Sequence, residues 1–225
     1  MIPPMKPTLS IAGALAAALG SMLAGAPANA SGCYFGNPAG SPLPACTVSG
    51  GANFSTQLGD KLFTIVTEPT IGSGDVEFTV DPSSTVWQID VDWAGFGLAG
   101  PAANGLFEYT VQINSGNKQF ASISLDVAGD HPNQSTTVEK QVFSGLGAVG
   151  APIATLASVN GSDVSSVPIS GTQIFVRDIY NVPTGNTLDN MGNYIRQVPG
   201  PLPVVGAAMA LGMARQLRRR VALEA

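Results

Sequence analysis

Two carboxylates, Asp90 and Asp92, stand two positions apart in the stretch TVWQIDVDW, with Trp87 and Trp93 on either side of them. In an extended chain, residues i and i+2 lie on one face, so both acids point the same way. Paired carboxylates are the machinery of glycoside hydrolysis, one acting as acid and the other as base or nucleophile. A tryptophan exposed beside them would give a sugar-binding module its stacking surface. Asp90, Asp92, Trp87 and Trp93 are therefore the candidate ligand-binding set. The plainer reading is a half-buried strand whose acids meet solvent while Val91 and Trp93 face a core. Alternation from Val86 leaves open which ring faces out.

Other chemistry is thinly represented. Asp126 and Asp130, around the turn GDHPNQ, could supply two oxygens to a cation, and Asp90 and Asp92 two more. Calcium takes six to eight oxygen ligands, so a structural calcium is the one cofactor this pattern could take; otherwise none is expected. His131 is the only histidine and sits in that turn. A serine or cysteine nucleophile needs a base, most often histidine, and no G-x-S-x-G elbow is present. No catalytic residue is assigned, and no hydrolytic centre is expected. The glycine runs neither join a strand to a helix nor precede a Lys-Ser/Thr pair, so they do not form a phosphate cradle.

The elements that must position these residues are short strands. Runs rich in β-branched and aromatic residues cover 62–67, 75–80, 85–92, 106–113, 119–127, 135–143, 153–159 and 173–180, separated by Gly, Pro, Asn and Ser clusters. In FEYTVQI, Phe107, Tyr109, Val111 and Ile113 alternate with Glu108, Thr110 and Gln112. NSGNK, with Gly116 free to take a positive φ, predicts that this strand pairs directly with QFASISLDV in a hairpin. About eight strands at even spacing predict an all-β fold, an antiparallel β-sandwich; the same count also fits a single barrel. The segment 91–107 is too long for a tight turn and is expected to lay its aromatics over an edge or end of the sandwich.

The ends of the chain read as addresses. Residues 1–30 hold one lysine, Lys6, then an uncharged Ala/Leu-rich stretch, then Ala28-Asn29-Ala30, the order of a secretory signal peptide. Export makes Cys33 and Cys46, the only two cysteines, most simply a disulfide closing a short loop. Fourteen of the fifteen acidic side chains fall within residues 31–196 against five basic ones. Such a surface excludes nucleic acid, which needs a basic patch. At the far end, Val198 to Ala214 carries no charge and Arg215, Arg218, Arg219 and Arg220 follow. As a helix the uncharged run would span about 25 Å, short of the bilayer's roughly 30 Å hydrocarbon core. It reads as a short membrane helix held by arginines on the cytoplasmic side.

This terminal segment resembles the PEP-CTERM sorting signal, in which a Pro-Glu-Pro motif precedes an apolar helix and a basic cluster. The matching positions are Pro199, Gly200 and Pro201, then Leu202 to Ala214, then Arg215 to Arg220. Glycine replaces the glutamate, and the Pro-Gly-Pro-Leu-Pro form is similar to a variant of cyanobacterial exported surface proteins. The resemblance implies recognition by an exosortase-like membrane transpeptidase, with cleavage near the motif. It covers only about the last twenty-eight residues. The expected organisation is a signal peptide (1–30), a Gly/Pro-rich segment with the disulfide (31–60), the sandwich (61–190), and linker, motif, membrane helix and Arg cluster (191–225). The expected function is an exported cell-envelope or extracellular-matrix surface protein, membrane-anchored before any processing. The alternative is an extracellular carbohydrate-binding module or glycoside hydrolase whose partner is polysaccharide.

Overall fold

The structure is a computed structural model that describes residues 30–36, 42–44, 46, 54–80, 86–93, 103–130, 132 and 135–199. Among the described residues there are twelve strands: β1 (Ala30–Phe35), β2 (Ser55–Leu58), β3 (Lys61–Thr67), β4 (Gly74–Val80), β5 (Val86–Trp93), β6 (Ala103–Ile113), β7 (Lys118–Ala128), β8 (Thr137–Ser144), β9 (Ala154–Val159), β10 (Val164–Pro168), β11 (Gln173–Val182) and β12 (Asn190–Pro199). They form two antiparallel sheets, ordered β1-β4-β5-β12-β7-β10 and β2-β3-β6-β11-β8-β9. The sheets face each other across one hydrophobic core. Phe63 of the second sheet meets Phe78 of the first with ring centroids 5.3 Å apart. Trp93 and Tyr180 meet edge to face at 5.3 Å. The fold is all-β, two sheets packed as a sandwich.

All eight expected strands are present, and four more join them. β1 falls in the segment expected to precede the sandwich, yet it pairs along β4 with Cys33 opposite Val76. Cys33 is bonded to Cys46 with Cα atoms 5.3 Å apart; both sulfurs lie in the core. Backbone bonds tie Tyr34 across this loop, Cys46 N–H donating to the Tyr34 carbonyl and Tyr34 N–H to the Pro44 carbonyl. The bridge therefore fastens an edge strand whose Gly32 offers little apolar surface of its own.

The domain boundary at residue 190 is corrected by β12. Residues 191–199, expected as linker, form a central strand paired with β5 on one side and β7 on the other. Met191, Asn193, Ile195 and Gln197 face inward. Two of these four are polar, which breaks the apolar alternation that marks a strand. Asn193 donates to the Ile89 carbonyl at 3.2 Å, and Gln197 accepts from the Lys61 ammonium, so each finds a partner inside, while Asn193 Oδ1 has none among the described residues.

The expected hairpin between residues 106–113 and 119–127 is also corrected. β6 lies in one sheet, between β3 and β11, and β7 in the other, between β12 and β10. Gly116 does take a positive φ of 81°, so the chain reverses there. However, Ile113 N–H donates to Thr172 and Phe120 N–H to Gly171, which turns the reversal into a corner between sheets. A turn residue permits the change of direction; the long-range partners of each strand decide which sheet it enters.

Residues 1–29 of the expected signal peptide, His131, the stretch 94–102, Gly200, Pro201, the apolar run and Arg215, Arg218, Arg219 and Arg220 lie outside the described residues. Among the described residues no helix is long and apolar enough to cross a membrane.

Candidate functional site

Alternation along β5 sets the outcome for the first candidate set. Trp87, Ile89, Val91 and Trp93 point inward and Gln88, Asp90 and Asp92 point outward. Both tryptophans are only 6% exposed. Trp93 donates its indole N–H to the Ile71 carbonyl at 3.0 Å and meets Phe35 edge to face at 6.1 Å. Trp87 lies under the Lys61 ammonium, 3.7 Å from the ring centre. Neither ring is a stacking platform. Asp90 and Asp92 do share the outer face, and they are not alone there.

Antiparallel register gathers acids from four elements onto this face. Asp75 stands opposite Asp92 and Glu77 opposite Asp90 on β4 and β5. Asp90 stands opposite Gly192, and Gly192 opposite Asp126 on β7. Asp163, just before β10, reaches a hydrogen bond with Asp126. Gly192 matters because a Cβ at that position would sit 3.0 Å from Asp90 Oδ1, 3.4 Å from the Tyr194 ring and 3.5 Å from the Asp126 Cβ. A side chain there would crowd the carboxylates on both sides; glycine leaves room for them over β12.

Crowding like charges on a half-buried surface disfavours ionisation. Asp90 is pushed from 3.8 to about 6, mainly by burial, with the charges of Asp92, Glu77 and Asp126 adding and the hydrogen bond from Gln88 opposing. Asp126 is raised first by its hydrogen bond with Asp163 and then by burial. Burial, then Asp92 and Glu77, raises Asp75. Asp92 accepts a hydrogen bond from the Asn190 amide.

Beside these acids runs a shallow, open groove of about 470 Å³, lined by Ser124, Asp126, Asp163, Ser165, Ser166, Tyr194 and Arg196 among others. Tyr194 projects from the outer face of β12, half-buried, with its hydroxyl 3.3 Å from the Gln88 amide nitrogen. The groove thus joins one aromatic ring to hydroxyls, carboxyls and a guanidinium, a mixture able to donate to and accept from a polyol. Sequence reading missed Tyr194 and Arg196 because it placed them at and beyond the domain's end. The outward parity of even-numbered residues after Asn190 was the only signal available.

The candidate cation residues Asp126 and Asp130 have different surroundings. Asp126 is engaged with Asp163, whereas Asp130 lies past the end of β7, its backbone N–H bonded to the Thr187 hydroxyl at 2.8 Å. Among the described residues no three His, Cys, Asp or Glu side chains converge to hold a metal ion. No protein-family model matches this chain, and no curated protein matches it.

Proposed function

We propose that the chain is an exported surface protein of the cell envelope or extracellular matrix, delivered by its N-terminal signal and held or sorted through residues 198–225. The observation that carries this reading is the buried Cys33–Cys46 bridge, since a lone structural disulfide belongs to an oxidising compartment. Its placement fits the signal: β1 begins at Ala30, so removal of residues 1–30 would take only the first residue of the strand that the bridge fastens. The Pro-Gly-Pro motif starts at the last residue of β12, Pro199, which is exposed. A transpeptidase acting at Gly200 or beyond would leave that strand whole.

The test is fractionation of cells expressing the full chain and a form lacking residues 202–225. The full chain should stay with the envelope and the truncated form should enter the medium. Equal amounts of both in the medium, with both signal peptides removed, would refute the address.

A second reading, a polysaccharide-binding face, is favoured by Tyr194 in the groove. It replaces the buried Trp87 and Trp93 with an aromatic residue that does reach the surface. Retardation of the exported protein in gels containing acidic and neutral polysaccharides tests it; Tyr194→Ala should abolish any retardation, and unchanged retardation would count against the groove.

A further inference from the structure

Lys140 on β8 and Asp178 on β11 are direct cross-strand partners and point into the sandwich. Both side chains are fully buried, and the Lys140 Nζ touches Asp178 Oδ1. Val142 and Val176 form the next pair on the same ladder. Tyr109, opposite Val176 on β6, stands diagonal to Asp178 on the same inner face. Among the described residues, Asp178 Oδ2 and the Tyr109 hydroxyl have no hydrogen-bond partner. An ion pair left in such a place is costly, because desolvation removes several kcal/mol of hydration from each charge. One contact and an unsatisfied second oxygen are poor compensation.

We propose that Lys140 and Asp178 are joined by an intramolecular isopeptide bond, an amide between the lysine Nζ and the aspartate Cγ that ties β8 to β11. Proton transfer within the pair, from ammonium to carboxylate, gives a neutral amine and a neutral carboxylic acid. Burial favours that form at both ends, pushing the lysine down and the aspartic acid up. The nitrogen lone pair then attacks Cγ, forming the N–C bond. The C–OH bond breaks, and the departing hydroxyl takes a proton from nitrogen and leaves as water. Atoms and charge balance without any oxidant or outside co-reactant.

Two features of the fold drive the step. The ladder holds amine and carboxyl in contact, the arrangement that makes an intramolecular reaction fast relative to one between free molecules. The Tyr109 phenol, kept protonated by burial with the Asp178 charge adding, offers a neutral donor on the same face for the oxygen that becomes negative during attack. Once formed, the amide removes both buried charges, and the water-excluding core resists its hydrolysis. This inference stands apart from the export reading, since the condensation needs no particular compartment.

The experiment is mass spectrometry on the full chain recovered from expressing cells, with the N-terminus identified and the disulfide reduced. The expected mass is lower than the sequence mass by one water. After denaturation, trypsin should fail to cut after Lys140, and fragmentation should place Lys140 and Asp178 in one branched peptide. The full sequence mass, with trypsin cutting freely after Lys140, would overturn the proposal. The double variant Lys140→Met/Asp178→Leu replaces the pair by apolar groups of similar size and should return to its own sequence mass. A loss of water persisting in that variant would assign the loss elsewhere and equally overturn it.

Discussion

Replacing Asp90 by asparagine should stabilise the domain at neutral pH and leave it unchanged in acid. The folded chain holds the Asp90 proton up to about 6 against an ordinary 3.8. Between those values the folded state binds more protons than the unfolded state, so stability falls as pH rises through the window and levels off above it. The full difference corresponds to about 3 kcal/mol. Asp90 is only half-buried, and screening by solvent reduces this to about 1–2 kcal/mol. Asparagine keeps the shape beside Gly192 and carries no charge. Its gain should therefore appear as a rise in Tm of roughly 3–6 °C at pH 8, shrink to a small fraction near pH 4, where only the unfolded state still ionises Asp90 in part, and vanish below about pH 3, where Asp90 is protonated in both states. Thermal unfolding of both proteins at pH 4, 6 and 8 measures this. Because burial is the largest cause and the Asp92, Glu77 and Asp126 charges add less, half-molar salt should trim the gain without abolishing it. An offset that is the same at pH 4 and pH 8, or a variant less stable at pH 8, would refute the reasoning.

Three further outcomes are expected. Cys33→Ala/Cys46→Ala should lose about 2–3 kcal/mol in urea unfolding, the entropy of a short closed loop, and β1 should be the first strand to exchange its amide hydrogens. Gly105→Ala should cost about 1–3 kcal/mol, because its Cβ would lie 2.0 Å from the Tyr180 ring and force it off Trp93; near-ultraviolet circular dichroism reads the displaced aromatics. A chain ending at Pro199 should fold cooperatively, whereas one ending at Asp189 should not, because it leaves β5 and β7 without the strand between them; a sharp thermal transition in the shorter form would contradict the placement of β12.

The strands legible in the sequence were those whose inward positions are apolar. DVEFTV and QIDVDW show a clean two-residue period, and their burial follows it. Which tryptophan faces out was left open, and neither does: Trp87 and Trp93 share one parity with Ile89 and Val91, opposite Asp90 and Asp92, and that face is the core. β10 hid because its exposed Ser165 and Ser166 and its terminal Pro168 look like loop. β1 and β12 hid because their sequences break apolar alternation, with Gly32 in one and Asn193 and Gln197 inside the other. The acidic face was half legible: Asp90 and Asp92 were seen as a pair, but only register brings Asp75, Glu77 and Asp126 beside them.

β12 explains why the candidate site could not be read from any local stretch. Asp90 belongs to β5 and Asp126 to β7, thirty-six positions apart in sequence, and neither strand pairs with the other. What brings them to one place is a strand inserted between them from the end of the domain, carrying glycine where the two carboxylates approach and Tyr194 two positions further on. The groove, the shifted acids and the closure of the sheet are therefore consequences of one docking event. The same strand ends at Pro199, where the segment that resembles a sorting signal begins. During synthesis the site completes only after that last strand is made. A substitution that unseats β12, such as a bulky residue at Gly192, should disturb the groove and, on the proposed reading of the tail, delivery as well.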